Sequence, residues 1–160
     1  MSAPRSDAPA STADREIVIS RVFDAPRALV FEAFTDPKHI GEWWGPNGFT
    51  TTTSEMDVRP GGAWRYVMHG PDGTDYSNKI VYSEVVKPER LAYAHGEDDD
   101  GPPLFHATVT FQEQGSKTLV TLHSIFPTAA IRERIVKEFG AIEGGHQTLA
   151  RLAQYLANKT

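Results

Sequence analysis

Histidine is the side chain here best suited to move a proton or hold a metal near neutral pH, and the chain has six histidines and no cysteine. The lack of cysteine removes thiol nucleophiles, iron–sulfur clusters, thiolate zinc sites and disulfides together. His39, His69, His95, His106, His123 and His146 show neither the i, i+4 helical pairing nor the short spacing of a zinc signature. His106 and His123 fall in consecutive predicted strands, where they could approach across a sheet. No metal and no cofactor are expected. Gly61-Gly62 and Gly144-Gly145 do not form a phosphate-cradling loop, and Ser77, Ser83 and Ser124 have no Gly-x-Ser-x-Gly elbow and no local base.

The aromatic residues carry more information. Trp43-Trp44-Gly45-Pro46 sets two indoles before a rigid turn, and so much apolar ring surface is expected to close the end of a core or line a pocket. Trp64, Tyr66 and Met68 alternate with Arg65, Val67 and His69, which puts the first three on one face of a strand.

The elements that must hold these groups follow from periodicity and punctuation. Strands are expected over Arg15–Phe23, Thr50–Met56, Ala63–His69, Thr74–Val86, Leu91–His95, Phe105–Phe111 and Thr118–Phe126, with a bulge in the fourth where Ile80, Tyr82 and Val85 change period. Pro60-Gly61-Gly62, Gly70-Pro71-Asp72-Gly73, Lys87-Pro88 and Gln114-Gly115 supply turns, and Glu97-Asp98-Asp99-Asp100 reads as a solvated hairpin loop. Asp24 is expected to cap a short helix bearing Val30, Phe31 and Phe34, and Asp36-Pro37 starts a second short piece. From Thr128, a capping residue, Ile131, Ile135, Phe139, Ile142, His146, Leu149, Ala153 and Leu156 recur at steps of three or four. That is the apolar stripe of one long helix, with Gly140, Gly144 and Gly145 marking a kink or a close approach to the sheet.

The sum is an α+β domain over residues 14–158, a curved antiparallel sheet around a long C-terminal helix with two short N-terminal helices, preceded by a flexible tail over residues 1–13. A helix laid across a curved sheet is expected to leave an apolar cavity. Its candidate lining is Trp44, Trp64, Tyr66, Met68, Tyr93, Phe105, Phe139, Ile142 and His146, with His146 or a tyrosine holding a ligand's polar end. The net charge of −5 and the absence of a Lys/Arg cluster argue against nucleic acid, and no apolar stretch suggests stable membrane association. A cytoplasmic location and a homodimer that covers sheet edges are expected.

Phe23-Asp24-Ala25-Pro26-Arg27, Val30-Phe31-Glu32-Ala33-Phe34-Thr35-Asp36-Pro37, Trp43-Trp44-Gly45-Pro46, Asp57-Val58-Arg59-Pro60-Gly61-Gly62, Trp64-Arg65-Tyr66-Val67-Met68 and Gly145-His146-Gln147-Thr148-Leu149-Ala150-Arg151-Leu152 occur in this order. Together they resemble the proteins similar to the C-terminal domain of the Hsp90 ATPase activator, within the START-like or Bet v 1-like superfamily. The resemblance implies a helix-grip fold with a cavity between sheet and long helix. His146 stands where that family often has Trp or Met. The resemblance implies binding of a small, largely apolar molecule. An enzyme acting on such a molecule, with His146, Tyr66, His106 or Tyr93 handling protons, and a chaperone cofactor or partner-binding module are the alternatives. A chain of this kind is expected to lack the N-terminal chaperone-binding domain of the eukaryotic activators, so a chaperone partner is not expected.

Overall fold

The computed structural model describes residues 13–97 and 102–158. The expected tail before residue 13 and most of the acidic run lie outside the described residues. After a 3-10 turn over Ala13–Arg15, the chain forms strands β1 (Glu16–Phe23), β2 (Thr50–Met56), β3 (Ala63–His69), β4 (Asp75–Val86), β5 (Arg90–Glu97), β6 (Phe105–Gln114) and β7 (Lys117–Ile125). Helices α1 (Arg27–Thr35) and α2 (Pro37–Ile40) separate β1 from β2, and α3 (Ala129–Phe139) and α4 (Ala141–Ala157) follow β7. All neighbouring strands are antiparallel, in the order β1-β7-β6-β5-β4-β3-β2.

This order explains the layers. β1 and β2 are the two edges of the sheet, so α1 and α2, which join them, must pass over one face. That face is concave and apolar. Phe31 and Phe34 of α1 meet Phe111 of β6 edge-on at 5.2 Å in both cases. Trp43 is fully buried behind α2, with its indole N–H donating to the Ala33 carbonyl at 3.1 Å. The expected bulge in β4 falls between Tyr82 and Glu84, and a second interrupts β2 between Thr53 and Glu55.

One local expectation fails for an identifiable reason. Asp24 does not cap α1: Pro26 takes the N-cap position with no side-chain bond, its fixed φ of −67° already leading into the helix. The second short helix starts at Asp36-Pro37 as expected, and the Asp36 carboxylate caps it, accepting from the Lys38 backbone N–H at 2.8 Å.

The C-terminal segment is two helices and not one continuous helix. Thr128 caps α3 through the Ile131 N–H at 3.0 Å, as its type suggests. Gly140 then adopts a left-handed conformation, φ 59° and ψ 43°, which ends α3 and starts α4 on a new azimuth. Within α4 the expected stripe holds at Leu149 and Leu156 and fails at His146. The buried side of α4 carries Thr148, Leu149, Leu152 and Leu156, with Gly145 against β1. At 100° per residue His146 sits roughly a quarter turn from the centre of that stripe, and it is exposed. Gly145 is there because a Cβ would meet Ile19 Cδ1 at 2.4 Å. Among the described residues no helix is long and apolar enough to cross a membrane.

Candidate functional site

The cross-strand registers place one set of side chains on the concave face. Trp64 and Tyr66 of β3 oppose Ile80 and Asn78 of β4; Ile80 and Tyr82 oppose His95 and Tyr93 of β5; His95 and Tyr93 oppose Phe105 and Ala107 of β6. Alternation along each strand then fills the face with rings. Trp64 and Tyr66 stack with centroids 4.0 Å apart and an interplanar angle of 22°. Trp44 lies edge-on to Trp64 at 5.3 Å, and to Trp43 at 5.5 Å. Tyr66 leads to His95 at 6.2 Å, His95 to Phe105 at 4.7 Å, and Phe105 to Phe126 at 5.0 Å. The result is a continuous arc of rings from α2 to the end of β7.

Burial along this face is uneven. Ile80, Tyr82, Leu91, Tyr93 and Val109 are buried. Met68, Asn78, His95, Phe105 and Leu122 on the same face are only half-buried, although His95 lies opposite Ile80 and Leu122 opposite Val109. α3 packs on the 3-10 turn and on α4, and α4 packs on β1. Rings and apolar side chains on this part of the concave face thus keep some accessible surface.

One polar cluster stands in it. His95 Nε2 is 3.2 Å from the Tyr66 hydroxyl and 3.1 Å from Asn78 Oδ1. Burial pushes the His95 imidazole down to about 4, so the ring is neutral at pH 7. Part of the residue remains accessible even so. Burial drives the Tyr66 phenol upward, against the lowering effect of a side-chain hydrogen bond from Trp44, and it raises Tyr82 and Tyr93 as well. All three tyrosines keep their protons.

Of the candidates named from the sequence, Trp44, Trp64, Tyr66, Met68, Tyr93 and Phe105 come together on this surface, and Ile142 is half-buried against the core at α4. His146 does not join them, for the reason of phase given above. The side chain of Phe139 lies outside the described residues. His95 and Asn78 were not among the candidates. Strict alternation from Tyr93 would have placed His95 on the ring-bearing face, but its position near a turn disguised it.

The other histidines serve elsewhere. His39 Nδ1 meets the Tyr155 hydroxyl and its Nε2 lies 3.5 Å from Glu32, so it ties α2 to α4. His106 and His123 share the outer face, but His123 opposes Thr108 and pairs with the Glu16 carboxylate. His69 stands between Thr52 Oγ1 at 2.9 Å and Asp75 Oδ1 at 2.7 Å, on the exposed outer face. Among the described residues no three His, Asp or Glu side chains are placed to hold a metal. A hollow of about 20 Å³ lined by Leu29, Glu32, Ala33, His39, Tyr155 and Leu156 has room for about one water. A depression of about 320 Å³ on the outer face is lined by Glu16, Val18, Arg90, His123 and three threonines. Neither lies between the sheet and the C-terminal helices.

The sequence matches the family model described as Activator of Hsp90 ATPase homolog 1-like protein over residues 24–157. A crystal structure of a Mycobacterium smegmatis protein superposes with a TM-score of 0.84 at 26% identity, covering 94% of this chain and 96% of that one. One from Nitrosomonas europaea gives 0.83 at 25%, covering 92% and 97%, and one from Chromobacterium violaceum 0.75 at 29%, covering 88% and 95%. Among curated proteins, an argininosuccinate lyase of Polynucleobacter asymbioticus is 29% identical over 114 residues, which is 71% of this chain. The chain spans only 23% of the length of that relative.

Proposed function

The chain belongs to the family of Activator of Hsp90 ATPase homolog 1-like proteins and has its START-like, helix-grip fold, and from that premise we propose that it binds a small, largely apolar molecule in the cleft between the concave face and the C-terminal helices. The observation that carries this reading is the incomplete burial of apolar side chains on the concave face. Met68, Phe105 and Leu122 point inward on a continuous ring-lined face yet stay half-buried, which leaves apolar surface free for a ligand to cover. The proposal includes a cytoplasmic location. A lyase activity is no part of it, since the matched stretch is 23% of the lyase.

A second reading, an enzyme acting on such a molecule, draws support from the convergence of Tyr66 and His95. The protonation states favour binding over proton transfer. A base works best with a pKa near the operating pH, whereas His95 is held at about 4 and the Tyr66 phenol is raised. A chaperone-docking role would want a broad exposed apolar patch, and among the described residues the large apolar side chains most exposed are Val18, Val22 and Val86.

All three tryptophans of the chain lie on or beside the arc of rings, so intrinsic fluorescence reports on the cleft. Titration with the neutral dye N-phenyl-1-naphthylamine should show energy transfer from tryptophan that saturates at one dye per chain. Met68→Trp should fill the cleft and weaken that binding while the protein stays folded. A folded protein that takes up no dye at tens of micromolar would defeat the reading.

A further inference from the structure

Hydrogen-bond accounting at His95 leaves one acceptor over. Asn78 Nδ2 donates to the Tyr76 carbonyl at 2.9 Å, which turns Asn78 Oδ1 toward the imidazole. His95 Nε2 therefore carries the ring's proton and donates to that oxygen. The Tyr66 hydroxyl, which shares Nε2, also takes the hydrogen bond from Trp44. Both ring contacts of His95 use Nε2, so in the neutral ring Nδ1 is a bare lone pair, and among the described residues nothing donates to it. A desolvated acceptor without a donor costs stability, and a ligand that supplies the donor recovers it.

The surroundings select the donor. On the same face His95 has Ile80 and Phe105 across the strands and Tyr93 and Glu97 along β5. Glu97, exposed and negative, is the one charge among these neighbours, so an anionic group would be repelled. The guanidinium of Arg151 is engaged by the carbonyls of Gly45 and Pro46 at 2.9 and 3.0 Å. A cationic group would lose its hydration against a neutral imidazole. A neutral hydroxyl on an apolar ring meets neither penalty.

Resting on the binding reading above, we infer that the ligand is a neutral hydroxylated aromatic molecule of the phenol or naphthol type, whose O–H donates to His95 Nδ1 while its ring lies against Phe105 and Met68. 2-Naphthol and 2-methoxynaphthalene share the ring system and differ in the donor, so they test this on the full-length chain by calorimetry. The wild-type protein should bind 2-naphthol about tenfold more tightly. His95→Leu should erase that preference while retaining 2-methoxynaphthalene. Equal affinity of the wild type for both compounds overturns the hydroxyl assignment and leaves the apolar binding reading in place. Failure to bind either compound overturns both. A measurement that needs no variant uses the imidazole ¹⁵N resonances of the wild-type protein. Saturating 2-naphthol should move the Nδ1 signal of His95, and 2-methoxynaphthalene should not; a Nδ1 signal unmoved by bound 2-naphthol refutes the assignment.

Discussion

Folding traps the His95 imidazole in its neutral form, and that makes stability depend on pH in a calculable way. Free histidine titrates near 6.5, whereas burial holds His95 at about 4 in the folded chain. Between those values the unfolded chain takes up a proton that the folded chain refuses. The unfolded state therefore binds more protons, and stability falls as the pH drops from 6.5 toward 4. Above 6.5 both states are neutral at this site and the dependence vanishes. The full gap corresponds to about 3 kcal/mol, or roughly 10 °C in melting temperature for a domain of this size. Other groups titrate in the same range, so the measurement must be differential. His95→Gln keeps polar atoms for Tyr66 and Asn78 but has nothing to titrate. Urea unfolding at half-unit steps from pH 4 to pH 8 should give a wild-type curve that drops below 6.5 and a variant curve that drops by about 3 kcal/mol less. Parallel curves would show that the ring is solvated in the folded protein, and the account of a desolvated polar cluster would fail.

The other predictions concern the C-terminal helices and assembly. Gly144→Ala should stabilise the protein by up to about 1 kcal/mol, because its Cβ would meet only Pro46 at an ordinary 3.7 Å and a helical glycine is removed. Gly145→Val should cost stability in the same urea assay, since the space is taken by Ile19; equal effects at the two positions would contradict the packing of α4 on β1. Gly140→Ala should destabilise by about 1 kcal/mol, as φ 59° strains any residue with a Cβ, and no loss would mean that the break between α3 and α4 lies elsewhere. Light scattering at micromolar concentration should give twice the chain mass, the exposed Val18 and Val22 on edge strand β1 offering a surface to cover; a monomeric mass at high concentration refutes the dimer.

The strands were legible because half-buried sheets write period two into the chain. β2 and β3 begin and end where alternation and turn residues put them, and the bulge in β4 showed as a change of period between Tyr82 and Val85. Helix phase was harder to read. A single left-handed residue at Gly140 resets the azimuth of everything after it, and side-chain type alone does not reveal a backbone dihedral. His146, at the margin of the stripe, was expected inside and stands outside, while Gly145 beside it faces the sheet. The site was legible on β3, where Trp64, Tyr66 and Met68 alternate, and illegible where it depends on register. Asn78, Tyr66 and His95 converge from three strands through pairings that no local pattern encodes.

The central claim, that the half-buried end of the concave face receives an apolar ligand, is tested most directly by mapping one on the ¹⁵N- and methyl-labelled protein. Titration with 2-naphthol should move the signals of Trp44, Met68, His95, Phe105 and Leu122 together, with one dissociation constant, and leave Val18, Thr108 and His123 on the outer face unmoved. Shifts confined to the outer face, or none at concentrations where the dye binds, would contradict the account.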